Sequence, residues 1–387
     1  MNKKQNNRPK TNKIKTNKPK ALYIHIPFCH SICGYCDFCK LIYNKKWINP
    51  YIESLIKEIS QYKISSNSLD SIYIGGGTPS SLTISEIEPL LEHIQKMIKS
   101  NGEYTIECNV TSLDEDKIKL YERYGVNRFS LGVESTDRRI LSKMERDHDF
   151  DDVKRVVEMI KNNGIDNINV DLIYAVPGES KAMLEKDLDN LLSLDVPHIS
   201  TYSLILEEGT KFYRDGEKEL DQDLVREQYD IILNRLRTSS YRRYEVSNFA
   251  REGKESRHNL TYWHNLQYYG VGLGASGYLG NVRYTNTRNI NKYIDRRYIS
   301  ETEVLTKADL EEYYLMLALR LDDGFSKTDF KKIFGYDFVD RYSSQLKKMK
   351  DECLLRESND RIMATDEGIM LLDRIMMEFI ANGNSTI

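Results

Sequence analysis

An α/β fold built on a parallel sheet is predicted, followed by a smaller α+β module. Six short β-branched or aromatic runs, at 21–26, 71–74, 104–108, 128–133, 167–173 and 198–204, alternate with helix-length segments. Strands spaced in this way pair in parallel, and right-handed crossovers bend six β/α units into a partial barrel or an open doubly wound sheet. Charged and glycine-rich stretches also fall at or just after the C-terminal ends of successive predicted strands, where β/α barrels build their sites.

Composition bounds this reading. At 387 residues the chain can bury a substantial core and divide into about two or three domains. Four of the six cysteines lie between 29 and 39, with Cys108 and Cys353 apart, a pattern of reduced thiols in a cytoplasmic protein rather than a disulfide framework. No apolar signal segment is seen, and no run approaches the ~18–20 apolar residues of a membrane span. The first twenty residues hold seven Lys, one Arg and no acid, which leaves −11 on the remainder of a chain whose formal charge is −3. Residues 1–20 therefore read as a disordered basic tail, for which an anionic membrane surface is a candidate contact, placing the protein peripheral to a membrane in that case.

The first strand, 21–26, leads into Cys29, Cys33 and Cys36. The helix near 86–99 carries Ile87, Leu90, Leu91, Ile94, Met97 and Ile98 on one face, and Thr83 with Glu86 forms a capping box at its start. The next helix is predicted to begin at Ser112 with Glu115 and to end before Gly125. From about 301 a separate unit is expected: helices near 307–320, 327–333 and 337–350, a hairpin at 354–364, and a helix at 366–380. That order is winged-helix-like. Its acidic and basic residues are mixed, so no nucleic acid is expected as a partner.

The cysteine spacing suits three corners of an iron-sulfur cube whose fourth iron is left open to a small molecule. A ligand with adjacent amine and carboxylate groups would chelate such an iron. Gly76, Gly77 and Thr78 would let backbone N–H groups approach its charged end, Glu107 and Asp171 would accept bonds from an ammonium or ribose hydroxyls, and Tyr35 would stack on a base. S-adenosylmethionine has that chemistry.

With Cys29-His-Ser-Ile-Cys33-Gly-Tyr-Cys36 as its CxxxCxxC loop, the sequence resembles the radical S-adenosylmethionine superfamily. More narrowly it is similar to the group that contains oxygen-independent coproporphyrinogen III oxidase and the heme chaperone HemW. The stretches that carry this are Tyr-Ile-His-Ile-Pro-Phe-Cys29, Gly75-Gly-Gly-Thr-Pro-Ser80, Ile106-Glu-Cys-Asn109, Ser130-Leu-Gly-Val-Glu-Ser135, Asp171-Leu-Ile-Tyr-Ala-Val-Pro-Gly178 and Tyr202-Ser-Leu-Ile-Leu-Glu-Glu-Gly-Thr210. The resemblance implies a partial (β/α)6 TIM-like barrel over 21–240, a connecting segment over 241–300 and a winged-helix-like C-terminal domain over 301–387. It implies a 4Fe-4S cluster on Cys29, Cys33 and Cys36, an electron donor to that cluster, and S-adenosylmethionine contacts at Tyr23, Tyr35, Gly76, Gly77, Thr78, Glu107, Glu134, Arg146 and Asp171. One departure is Glu134, where the group usually has Gln; a carboxylate accepts hydrogen bonds but donates none.

Within the group, His258-Asn259-Leu-Thr-Tyr262-Trp263 matches the HNxxYW motif of the HemW branch. By that resemblance His258, Asn259, Tyr262 and Trp263 are candidate heme contacts, His as an axial ligand and the aromatics over a porphyrin face. His264 is a second candidate ligand. The expected partners are then heme and an apo-hemoprotein recipient, the expected state is a monomer or homodimer, and no residue is assigned a catalytic role. The alternatives are an oxidase that decarboxylates porphyrinogen propionates and a zinc-stabilised binding protein. The string Gly272-Leu-Gly274-Ala-Ser-Gly277 satisfies GxGxxG outside the βαβ context that gives it meaning, and Cys39 is read as a bystander to the cluster.

Overall fold

The computed structural model describes residues 18–383. The tail predicted over 1–20 thus lies outside the described residues up to position 17. Strands β1 (Ala21–Ile26), β2 (Leu69–Gly76), β3 (Ile98–Asn109), β4 (Arg128–Glu134), β5 (Ile168–Tyr174) and β6 (His198–Ser203) lie side by side in chain order, all parallel. Helices on the outer face connect them, as the alternation predicts.

Side-chain alternation along these strands explains the curvature and positions the site. On β1, Leu22, Ile24 and Ile26 are fully buried beneath the helices, while Tyr23 and His25 face inward. On β4, Phe129, Leu131 and Val133 pack outward, leaving Arg128, Ser130, Gly132 and Glu134 to line the concave side. The apolar core therefore sits between sheet and helices, and the lumen of the barrel is polar.

Two helix expectations shift. The helix predicted over 86–99 spans Ile84–Ile94, and Ile98 opens β3, paired with Leu69. The apolar run continues past the helix because Met97 and Ile98 pack against the core as the chain enters the sheet interior. The following helix is Glu115–Arg123, capped by Asp114, whose side chain accepts from the Lys117 N–H at 2.8 Å, rather than by Ser112.

Residues 241–300, read as a connector, supply further strands. β7 (Arg242–Glu245) and β8 (Asn248–Ala250) extend the sheet antiparallel beyond β6, and β9 (Tyr269–Val271) adds in parallel beside β1. Among the described residues this gives a nine-stranded sheet, with β9 and β7 at its two edges. β10 (Ser276–Leu279), β11 (Val282–Asn286) and β12 (Ile299–Val304) form a separate antiparallel sheet. Its anchor is the fully buried Glu58, which accepts from Tyr293 Oη at 2.5 Å, Asn286 Nδ2 at 2.7 Å and the Gly272 N–H at 2.9 Å.

The C-terminal unit has helices Lys307–Ala318, Lys327–Phe334 and Phe338–Asp351, hairpin strands Leu355–Ser358 and Arg361–Ala364, and a final helix Leu372–Gly383. Phe325, Phe330, Phe338 and Phe379 centre its own core. Arg243 joins it to the barrel, with Asp322 and Asp366 each 2.7 Å from its Nη2. Among the described residues no helix is long and apolar enough to cross a membrane.

Candidate cofactor site

The cysteine loop is tied down at both ends by backbone. Leu41 N–H donates to Pro27 O and Tyr43 N–H to Cys29 O, each at 2.7 Å, while Gly77 N–H reaches Ile26 O at 2.8 Å. Thr78 Oγ1 donates to Cys29 Sγ at 3.4 Å. A Cβ on Gly77 would lie 2.7 Å from the Pro27 carbonyl carbon and 3.0 Å from Cys29 Sγ, so only glycine lets the two loops meet. Arg146 supports the far side, donating to Gly132 O and, at 3.7 Å, to Cys33 Sγ.

Cys29, Cys33 and Cys36 all line one cavity of about 440 Å³ at the C-terminal ends of the strands. Tyr35, Gly76, Gly77, Thr78, Glu107, Glu134, Arg146 and Asp171 line it too, whereas Tyr23 stands behind it, its hydroxyl 2.9 Å from His25 Nδ1. Glu107 is oriented by the Tyr73 hydroxyl at 2.7 Å and the Gly76 N–H at 2.9 Å, and burial pushes its carboxyl up to about 6. Glu134 follows a register shift in β4 and has φ +66°. Burial pushes its carboxyl up to about 7 against the pull of Arg146, 3.9 Å away. Burial also raises Asp171, opposed by the Asn169 amide that donates to it at 2.8 Å.

Beneath these groups lies a layer that the sequence motifs did not single out. Asn169 Nδ2 also donates to Ser130 Oγ at 2.8 Å, its Oδ1 accepts from Ser200 Oγ at 3.0 Å, and His198 Nδ1 is 2.6 Å from the same oxygen. Arg128 lines the cavity beside them. The available signal was period-two alternation: Asn169, Asp171 and His198, Ser200, Tyr202 fall on inward positions.

The helix Arg257–Trp263 lies in the segment that joins β8, near one sheet edge, to β9 at the other. Glu103 receives its start, accepting from Arg257 N–H at 3.0 Å and His258 N–H at 3.1 Å. His258 is buried, with Nδ1 2.9 Å from Ser71 Oγ, Nε2 2.7 Å from Tyr262 Oη, and its ring stacked on Tyr73. Burial pushes its imidazole down to about 3. Asn259 lines the cavity, and Trp263 lies under Arg320. The motif residues thus do not share one open surface, and both ring nitrogens of His258 are engaged.

Cys39 turns away from the cavity. Its carbonyl is 2.7 Å from His25 Nε2, and a Cβ on Gly274 would fall 2.8 Å from its Sγ. Gly272-to-Gly277 is likewise structural: Gly270 and Gly277 have backbone or ring atoms where a Cβ would go, and Gly272 N–H is held by Glu58.

The donor set fits an iron-sulfur cluster with a ligand beside it. Three thiols of one loop face a cavity, the donor set for three corners of a cluster with one iron left open. The N–H groups of Gly76, Gly77 and Thr78, expected to meet the ligand, are instead bonded to Glu107, Ile26 O and Phe28 O, so what this stretch and the buried carboxylates leave for a ligand bearing amine and hydroxyl donors is room and acceptors.

A curved parallel sheet with three cysteines in the loop after its first strand defines the class. The model of the Radical SAM superfamily matches residues 23–191, and that of the HemN C-terminal domain matches 305–371. Over 373 residues the chain is 39% identical to the heme chaperone HemW of Lactococcus lactis, covering 94% of this chain and 98% of that one. With the HemW of Bacillus subtilis it shares 36% over 376 residues, covering 93% and 99%. The chain belongs to the HemW family. Its fold is also that of coproporphyrinogen III oxidase (HemN) from Escherichia coli, with a TM-score of 0.82 at 20% identity over 93% of this chain and 90% of that one.

Proposed function

We propose that this protein is a heme chaperone, one that binds a 4Fe-4S cluster and S-adenosylmethionine at the barrel mouth and delivers heme to an apo-hemoprotein. The observation that carries the reading is similarity to HemW relatives along nearly the full chain. Cys29, Cys33 and Cys36 would hold the cluster, with Thr78 and Arg146 directing hydrogen bonds at the first two sulfurs. Glu107, Asp171 and the Gly76–Gly77 backbone would orient S-adenosylmethionine, and Glu134 with Arg146 would close its side of the pocket. When bound, the reduced cluster supplies one-electron chemistry.

The geometry also supports a docking place for a large apolar ligand. Ile32, Phe38, Tyr202 and Ile205 rim the cavity and are exposed. A macrocycle face would cover them, whereas water gains nothing from their exposure. On this reading the protein would act in the cytoplasm as a monomer or homodimer with an electron donor and without nucleic acid, and its basic tail would be the part to meet an anionic membrane.

The test uses anaerobically reconstituted protein given coproporphyrinogen III, reductant and S-adenosylmethionine in one arm and heme in the other. Heme uptake, seen as a Soret band, without protoporphyrinogen formation is expected; turnover to protoporphyrinogen would favour the oxidase. In the same preparation Cys39→Ala is expected to keep the iron content of the parent protein, and Cys29→Ala to lose it.

A further inference from the structure

Arg128 is 2% exposed, yet it makes no ion pair and its side chain takes part in no hydrogen bond among the described residues. The other buried arginines are engaged. Arg243 reaches Asp322 and Asp366 at 2.7 Å and Tyr229 Oη at 3.1 Å, and Arg146 donates to Gly132 O and Cys33 Sγ. A guanidinium out of water without acceptors is a costly arrangement that a fold retains when something else supplies the acceptors.

The surroundings show where those acceptors would come from. Arg128 lines the cavity, and the polar groups that share the lumen with it are bonded to others: Glu107 to Tyr73 and Gly76, Asn169 to Asp171, Ser130 and Ser200, and His198 to Asn169 and Tyr244. Thr105, its register partner on β3, is buried and its hydroxyl bonds to nothing among the described residues, Arg128 included. Its charge is felt by Glu107 and Asp171 without either reaching it. The open side of Arg128 is the cavity itself.

We infer that Arg128 is an anion receptor inside the cavity and that its ligand group is a carboxylate. A planar guanidinium fork matches a carboxylate with two parallel N–H···O bonds. A dianionic phosphate is disfavoured because Glu107, Glu134 and Asp171 line the same space. Two ligands of the proposed function carry such a group: S-adenosylmethionine in its amino-acid end, and heme in its propionates. Arg128 opens β4 six residues before Glu134, roughly 20 Å along the strand, well below the mouth where the amino-acid end would meet the cluster. That depth disfavours the amino-acid end, and a propionate would reach Arg128 only from a macrocycle that enters the cavity edge-on. The identity of the ligands rests on the proposed function; the free guanidinium does not.

The measurement is the binding preference for acid over neutral partner in two pairs: heme against heme dimethyl ester, and S-adenosylmethionine against its decarboxylated analogue. It is made with the anaerobically reconstituted full chain and with Arg128→Met and Arg128→Lys. For at least one pair the parent protein is expected to prefer the acid by about tenfold more than Arg128→Met does, the scale of a charge-assisted hydrogen bond. Arg128→Lys should fall between, since it keeps the charge and loses the fork, and it also serves if the Met variant fails to fold. The pair that responds identifies the source. A merely structural Arg128 would weaken acid and neutral forms alike, so unchanged preferences in both pairs would overturn the inference. If the parent protein takes up neither heme form, the chaperone reading falls, and the S-adenosylmethionine pair still decides Arg128.

Discussion

Glu58 shows how a single buried carboxyl can tie stability to pH. It is fully buried, accepts three hydrogen bonds, and is pushed by burial from an ordinary 4.5 up to about 7. Between those values the folded chain holds a proton that the unfolded chain releases, so the contribution to stability is fully present below about 4.5 and is lost as pH rises through about 7. Glu58→Gln keeps a neutral acceptor at every pH. The stability difference between parent and variant should therefore decline from pH 5 to pH 8, by on the order of 3 kcal/mol, in urea unfolding titrations; a pH-independent difference would contradict the assignment. At this scale the sequence was legible where chemistry dictates the residue type, as at Cys29, Gly77 and Glu107. It was not legible at Arg128, Asn169 or Glu58, because nothing local distinguishes a polar residue facing a lumen from one facing water.

The helix Arg257–Trp263 is the element whose reading changed most. Its motif suggested a histidine open to iron, and the structure has His258 packed between Tyr73 and Tyr262, with Ser71 on its other nitrogen. Truncating it opens a cavity and leaves two hydroxyls unpartnered. His258→Ala is expected to cost about 2–4 kcal/mol in unfolding free energy, so loss of heme binding in that variant would reflect the fold as well as any ligation. His264 is exposed at the helix C-cap, and His264→Ala should leave stability within about 0.5 kcal/mol, which makes it the cleaner test of iron ligation. Elements were legible wherever periodicity ran unbroken, as in β1 to β6. The strands from Arg242 to Val304 were missed because they are short, and because β7 to β9 complete a sheet begun far earlier in the chain, a non-local pairing that no window of sequence reveals.

Across the whole molecule, the barrel, the helix Arg257–Trp263 and the C-terminal unit form a continuous body. Arg243 links β7 to both ends of the C-terminal core, and Arg237 grips Asp366 with two bonds of 2.8 Å. The cluster loop and the apolar rim share one mouth, so a ligand seated there would be presented at the surface next to the redox centre. A chaperone needs a cargo held tightly in solution and released on contact. The most direct measurement is the rate at which protein loaded with heme fills an apo-hemoprotein recipient, followed by the recipient's Soret band at increasing recipient concentration. Contact-dependent delivery predicts a rate that rises with recipient concentration and exceeds the rate of heme loss to a scavenger. A rate independent of the recipient and equal to that passive loss would contradict a chaperone.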